Sequence, residues 1–254
     1  MPGRTHARGL AYTLAMAAKL YLDDPYLRAF DAAVTETSDG WVVLSRTAFY
    51  PGGGGQPADR GRLLAEGEVL DVLEVREDDR GEVWHRVGRD LAGGRAVRGE
   101  LDWPYRYALM RAHALMHVVN TVARSRFGGV ITGVQIGPER SRIDLKLDGF
   151  TRDHLRELED SVNGILARDL AVSARTVPEE EFRRRPELVR TLEVRPPVVD
   201  GRVRIVEIAG FDAQACGGTH VHTTSEVGAA RIVKFDNKGK DNKRFYWQLG
   251  EPPA

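Results

Sequence analysis

From residue 105 to residue 127 the chain runs without a glycine or a proline, although it holds 27 of one and 12 of the other. Ala108, Leu115, Val118, Val119 and Val122 recur in this stretch at helical spacing, which predicts one long helix. Pro104 stands where a first helical residue would, and Gly128-Gly129 supplies the stop. The helix divides the chain. Before it, residues 41–44, 68–75, 82–87 and 95–101 read as short strands, separated by polar and glycine-rich turns such as 77–81 and 92–94. Short strands with no helical pattern among them predict a small β-barrel or rolled sheet over residues 19–103.

Beyond the helix the pattern mixes. Ile143, Leu145 and Leu147 alternate with Arg142, Asp144 and Lys146, as in a half-buried strand. Thr151 can cap a second helix running to about Leu170, with Leu155, Leu158, Val162, Ile165 and Leu166 turned inward. Residues 179–190 are highly charged and read as an exposed helix or loop, while 203–208, 229–235 and 244–249 read as strands. A polar turn, 236–243, joins the last two. The expected fold class is α+β: an N-terminal small β-barrel-like domain, residues 19–103, followed by a closely packed α+β domain, residues 104–254. Residues 1–18 are expected to form a disordered extension. Their short apolar run, interrupted by Tyr12 and Thr13, is a poor signal sequence.

The composition is that of a water-soluble globular chain, 42% hydrophobic and 29% charged, with no apolar run of membrane-spanning length. The formal net charge is zero, so a nucleic-acid partner must be met by a local basic patch and not by the whole surface. The single cysteine, Cys216, excludes an intramolecular disulfide and suits a reducing compartment, so a cytoplasmic protein is expected. The assembly is left open between a monomer and a weak dimer.

His113 and His117 lie four residues apart on the long helix and project from one face, one turn apart. That spacing presents two nitrogen ligands to a tetrahedral ion, though ordinary helix histidines share it. Cys216-Gly-Gly-Thr-His220 adds a thiolate and an imidazole on a glycine-rich turn between strands, a sequence a merely buried cysteine does not require. Together they predict a zinc site made of His113, His117, Cys216 and His220. His222 competes as a ligand, on the same strand face as His220. His6, His85 and His154 have no evident partner and are expected on the surface. Four protein ligands form a closed, structural shell, whereas catalytic zinc keeps a position for water.

The segment FYPGGGGQPADRG, residues 49–61, carries four consecutive glycines, which open backbone conformations denied to other residues and allow close approach to a ligand. It is no Walker loop, since no Gly-Lys-Ser/Thr follows. This loop, then RAHALMHVVNTVA, ITGVQIG, SRIDLKL, CGGTHVHTTSEVG and KFDNKGKDNKR, in that order, resembles the AlaX family of alanyl-tRNA editing proteins, relatives of the editing domain of alanyl-tRNA synthetase. The resemblance runs from Lys19 onward and is to the medium-length class of the family. Two differences stand out: Met116 occupies the place of a threonine in the synthetase domain, and glycine follows Pro51 where the family usually has glutamate.

The resemblance implies that His113, His117, Cys216 and His220 bind Zn2+. It implies that Gln135 lines the amino-acid pocket and that Arg142 and Asp144 belong to an R-x-D strand; Gly53, Gly54, Gly55 and Gln56 are expected to approach the substrate because the glycine loop can come close to a ligand. The implied activity is hydrolysis, in trans, of the ester on tRNA(Ala) mischarged with serine or glycine. A serine hydroxyl would be read by Gln135 and a neighbouring hydroxyl such as Thr219. For the tRNA itself, Lys234, Lys238, Lys240, Lys243 and Arg244 crowd one turn, although a merely solvated basic hairpin reads the same way. Arg183 to Arg185 form a second basic run, offset by Glu179 to Glu181. Two other classes fit the residues: a non-catalytic tRNA-binding module with structural zinc, and a zinc hydrolase of a small ester or amide.

Overall fold

The computed structural model describes residues 17–189, 198–199 and 201–251, so the expected N-terminal extension, His6 and Arg190 lie outside the described residues. The fold is mixed α+β and built mostly of strands.

Seven antiparallel strands form the first sheet, in the order Glu68–Val72, Gly61–Ala65, Ala96–Leu101, Ala29–Ser38, Trp41–Leu44, Val83–Arg86 and Glu74–Glu77. Only Leu73 separates the two edge strands in the chain, so the sheet must curl until its edges approach. The run expected as one strand over 68–75 is therefore two, broken at Leu73, which is 63% exposed. Phe30, Val42, Leu44, Phe49, Leu63 and Val83 fill the inside of the curl. One histidine joins them. His85, expected on the surface, is fully buried; its Nδ1 meets the Val42 carbonyl at 3.2 Å and its Nε2 the Thr47 hydroxyl at 2.8 Å.

The long helix, α1 (Trp103–Phe127), begins at Asp102, whose carboxylate accepts from the Tyr105 amide, and ends at left-handed Gly128. It is central and not amphipathic at the surface, being buried all round from Leu109 to Ala123. A helix so enclosed shows no polar face, which is why its apolar periodicity is weak. The second helix, α2 (Leu155–Leu166), is shorter than expected. Thr151 does cap its leading turn, and His154, expected to be without a partner, completes that cap by accepting from the Thr151 amide at 3.0 Å.

Two further antiparallel sheets flank α1. One has the order Val130–Gln135, Ser141–Lys146, Asn242–Leu249, Ala230–Asn237; the other pairs Arg202–Ile208 with Val172–Pro178, Val198–Val199 and Asp212–Ala215. Leu115, Val118, Leu158, Ile143, Phe245, Trp247, Val206 and Ile208 belong to one apolar cluster that joins both helices to both sheets. Asn163 of α2 bonds the backbone of Ala230 at both its amide groups, and Glu159 accepts from the Ile232 amide, seating α2 on the edge strand. The charged run after Pro178 opens with a short helix, α3 (Glu179–Arg183), and Arg183, Arg184 and Arg185 pair with Glu179, Glu180 and Glu181. Among the described residues no helix is long and apolar enough to cross a membrane.

Candidate metal centre

His113 and His117 sit on one buried face of α1, while Cys216 and His220 follow the strand Asp212–Ala215 on an irregular turn. The fold brings these four together, with one ligand-type atom from each lying within 4.8 Å of the others. The Cys216 Sγ stands 3.3 Å from His220 Nε2 and 3.5 Å from His113 Nε2. A tetrahedral ion with nitrogen bonds near 2.0–2.1 Å and a sulfur bond near 2.3 Å has edges of about 3.3–3.6 Å between ligand atoms. The donor set and its spacing therefore fit a metal ion.

Gln56 decides which nitrogen of His113 is free to bind. The Thr219 amide can only donate, and it points at Gln56 Oε1 from 3.1 Å. That fixes the orientation of the Gln56 side chain, so its Nε2 donates to the Thr219 hydroxyl at 2.9 Å. The same Oε1 lies 2.7 Å from His113 Nδ1, which must carry the proton. The lone pair of His113 is thereby left on Nε2, facing Cys216. Asp212 stands behind His117 in a comparable place, its Oδ2 at 3.7 Å from Nδ1. Its carboxylate is held by Thr121 at 2.8 Å and Gln214 at 2.7 Å. Carboxylates and amides placed behind histidine ligands orient the rings and raise their basicity.

The electrostatics run the same way. Burial alone would raise the Cys216 thiol, but the His113 and His220 rings beside it outweigh that and hold it well below its ordinary value. Burial and the neighbouring His113 and His117 keep His220 well below its ordinary value. At His117 burial opposes the proton, yet Asp212 and Cys216 push the ring up to about 9; a metal would have to displace that proton.

The turn is built for close approach. A Cβ on Gly218 would lie 2.2 Å from His113 Cε1 and 2.8 Å from Gln56 Oε1, so only glycine leaves room. Arg204 holds the turn from below, donating from Nη1 to the carbonyls of Cys216 and Gly218, each at 2.9 Å. The glycine loop holds it from above. Gly53 and Gln56 exchange both backbone hydrogen bonds across Gly54 and Gly55, whose φ angles are +57° and +85°, a tight hairpin turn closed to most other residues. The Gly55 carbonyl then accepts from the Ile136 amide at 2.8 Å. At the base of the loop Asp59 pairs with Arg106 of α1, both side chains fully buried. Arg106 also donates to the carbonyls of Pro25 and Ala48.

These positions revise several expectations. Gln56, expected against the substrate, is buried and spends its amide on His113 and Thr219. Thr219, expected to read a hydroxyl, is fully buried and accepts from Gln56. Gln135 is exposed at the end of its strand, beside the residue that bonds the glycine loop. His222, expected to compete as a ligand, lies outside the cluster, on a turn and not a strand, exposed and stacked on Tyr26. Of the basic residues, Lys243 is buried and donates to Asn237, Gly239 and Lys240, because strand pairing turns it inward. Arg244 grips Asp144 through two bonds of 2.7 and 2.8 Å, which buries that carboxylate on the sheet's polar face. Arg142 approaches the same carboxylate at 3.9 Å. Lys234 pairs with Asp236, leaving Lys238 and Lys240 exposed at the tip of the hairpin. Sequence reasoning missed Asp212, Arg204 and Arg106, whose partners lie far away in the chain.

Comparison with known proteins supplies the family. The model of the threonyl and alanyl tRNA synthetase second additional domain matches residues 203–246, and that of class II (A) tRNA synthetases matches residues 9–105. The alanyl-tRNA editing protein AlaX-M of Saccharolobus solfataricus is 39% identical over 237 residues, 92% of this chain and 99% of that protein. AlaX-M of Methanosarcina barkeri is 40% identical over 242 residues, again 92% and 99%. The alanine–tRNA ligase of Ignicoccus hospitalis is 36% identical over 219 residues, 85% of this chain but 24% of the ligase. The chain belongs to the AlaX-M family of alanyl-tRNA editing proteins.

Proposed function

We propose that this protein deacylates mischarged tRNA(Ala) in trans, removing serine and, secondarily, glycine, at a zinc centre formed by His113, His117, Cys216 and His220. The observation that carries the reading is the convergence of three buried imidazoles and the half-buried Cys216 sulfur in one cluster, in a chain similar throughout to alanyl-tRNA editing proteins. Zinc suits the donor set because it favours tetrahedral nitrogen and sulfur ligation; when bound it supplies Lewis acidity to an ester carbonyl. The protein's own residues do the positioning. Gln56 keeps the His113 lone pair aimed at the centre, Asp212 faces His117, and Arg204 fixes the Cys216 turn.

The chemistry has a reason to exist. A synthetase pocket sized for alanine cannot exclude glycine by size and rejects serine poorly, so a second, hydrolytic site supplies the missing discrimination. Burial of Thr219 leaves Gln135 as the group to meet the serine hydroxyl. Lys238 and Lys240 are the exposed cations for the tRNA backbone.

Deacylation of seryl-, glycyl- and alanyl-tRNA(Ala) by the wild type and by Cys216→Ala tests the reading. Rapid loss of the seryl ester, slower loss of the glycyl ester and at least a hundredfold fall in Cys216→Ala are expected. Equal rates for the two proteins would overturn the role of the centre. Hydrolysis of none of the three would make the chain a tRNA-binding module, and hydrolysis of simple esters without tRNA would point to a general hydrolase.

A further inference from the structure

His222 stands two positions after the ligand-type His220, and the second histidine has a different use. Its exposed ring lies on Tyr26, with centroids 3.9 Å apart and planes 22° apart. The stack is fixed by hydrogen bonds. The Tyr26 hydroxyl donates to Glu226 at 2.5 Å and accepts from the His222 amide at 3.1 Å. Glu226 also accepts from the Tyr107 hydroxyl and from the amides of His222 and Thr223, at 3.0, 2.9 and 3.1 Å. The tyrosine ring therefore has a set place, and the imidazole rests on it with little freedom left to lose.

The surroundings are aromatic and cationic. The chain has 7 tyrosines and 4 tryptophans; Tyr26, Trp103, Tyr105 and Tyr107 gather around the first turns of α1. Trp103 lies 5.6 Å from both Tyr26 and Tyr107. Exposed Arg28 sits 4.4 Å above the Trp103 ring, and exposed Arg60 4.2 Å above Tyr105. In a chain of zero net charge these guanidiniums are a local cationic feature, laid over flat rings. Planar rings beside cations are what unpaired nucleotides bind: each base offers a π-face whatever its identity, and the phosphates meet the cations.

We propose that the outer face of His222, backed by Tyr26, stacks an unpaired base near the 3′ end of the RNA whose ester is presented to the metal centre, with Arg28 and Arg60 receiving the adjoining phosphates. This rests on the editing function proposed above. Two residues of extended chain span at most about 7 Å, the rise of about two stacked nucleotides. The His222 backbone is thus within reach of a nucleotide near the esterified end. Because stacking ignores base identity, the site grips the single-stranded end without reading its sequence.

The test uses the full chain and two fluorescent, unacylated RNA hairpins, one with four unpaired 3′ nucleotides and one blunt-ended, titrated by anisotropy. Wild type and His222→Phe should bind the overhanging hairpin about tenfold more tightly than His222→Ala, with no difference among the three on the blunt hairpin. Equal binding of the overhang by wild type and His222→Ala, in proteins that both deacylate seryl-tRNA, would overturn the stacking site and leave the editing function standing. Failure of His222→Phe to restore binding would overturn it too. If neither hairpin binds the wild type and seryl-tRNA is untouched, both readings fall.

Discussion

His85 donates from Nδ1 to the Val42 carbonyl and accepts at Nε2 from the Thr47 hydroxyl, which itself accepts from the Phe49 amide. Both ring nitrogens are satisfied only if the imidazole is neutral. Burial pushes its pKa down to about 4, against about 6.5 for an unfolded chain. The unfolded state thus takes up the proton first as pH falls, so stability declines from about pH 6.5 down to pH 4. By pH 5 the loss amounts to about 2 kcal/mol. Urea denaturation at pH 7 and pH 5 should show that loss in the wild type and a clearly smaller one in His85→Gln; equal losses would mean that other groups drive the pH dependence. The residue's burial was not readable in the sequence. A polar residue in a short strand signals solvent only if the opposite face is known to be covered, and here the curl of the sheet covers it. Gly218 shows the converse. Its glycine was legible, but the reason is the His113 ring 2.2 Å from where a Cβ would be, a contact across 105 residues, and not an unusual backbone angle.

At the level of elements, α1 and the glycine loop act as one unit. Asp59 and Gln56 of the loop reach Arg106 and His113 of the helix, so the loop is fastened at the two ends of a two-turn span. A buried ion pair is costly to break from one side, by about 3–5 kcal/mol, because the remaining charge is stranded. Arg106→Met should lose about that much. The double variant Asp59→Leu/Arg106→Met should lose markedly less than the sum of the single changes. Additive losses in a double-mutant cycle would show that the two side chains do not depend on each other. The helix and most strands were legible because periodicity is local: breaker-free length for α1, alternation for Ser141–Lys146. The fastening was not, because Asp59 and Arg106 are 47 residues apart and Gln56 and Thr219 are 163 apart. Nothing in either neighbourhood announces the other. A glutamine two residues past a glycine hairpin reads as a ligand contact, and only the folded geometry shows it spent on His113.

For the whole molecule, the candidate metal centre closes a very long loop. Its ligand-type residues come from the middle of α1 and from a turn about a hundred residues later, so an ion held there ties the core helix to the last third of the chain. Binding to the folded state alone stabilises by about 4 kcal/mol when the free ion stands at a thousand times its dissociation constant. For a chain of this size that is a shift in melting temperature of about 10 °C. Dialysis against a strong chelator should lower the melting temperature by that order, zinc should restore it, and Cys216→Ala should respond to neither. A wild type indifferent to the chelator would deny the centre a part in stability. The four candidate positions were legible because spacing and the cysteine turn marked each pair, and two such pairs of nitrogen and sulfur donors in one chain already suggested a single site, which the fold brings together as one cluster.

Arg106, His113 and His117 stand seven and four residues apart on α1, and each engages a partner outside the helix. Every residue added to a helix advances it by about 100° and 1.5 Å. A single insertion between Arg106 and His113 would swing the ligands a quarter-turn and more away from Cys216 while the loop still held Arg106. A deletion would swing them back the other way. This stretch of helix is therefore a timing element: its length is as much a part of the centre as the side chains it carries, and the surface loops are where the chain is free to grow.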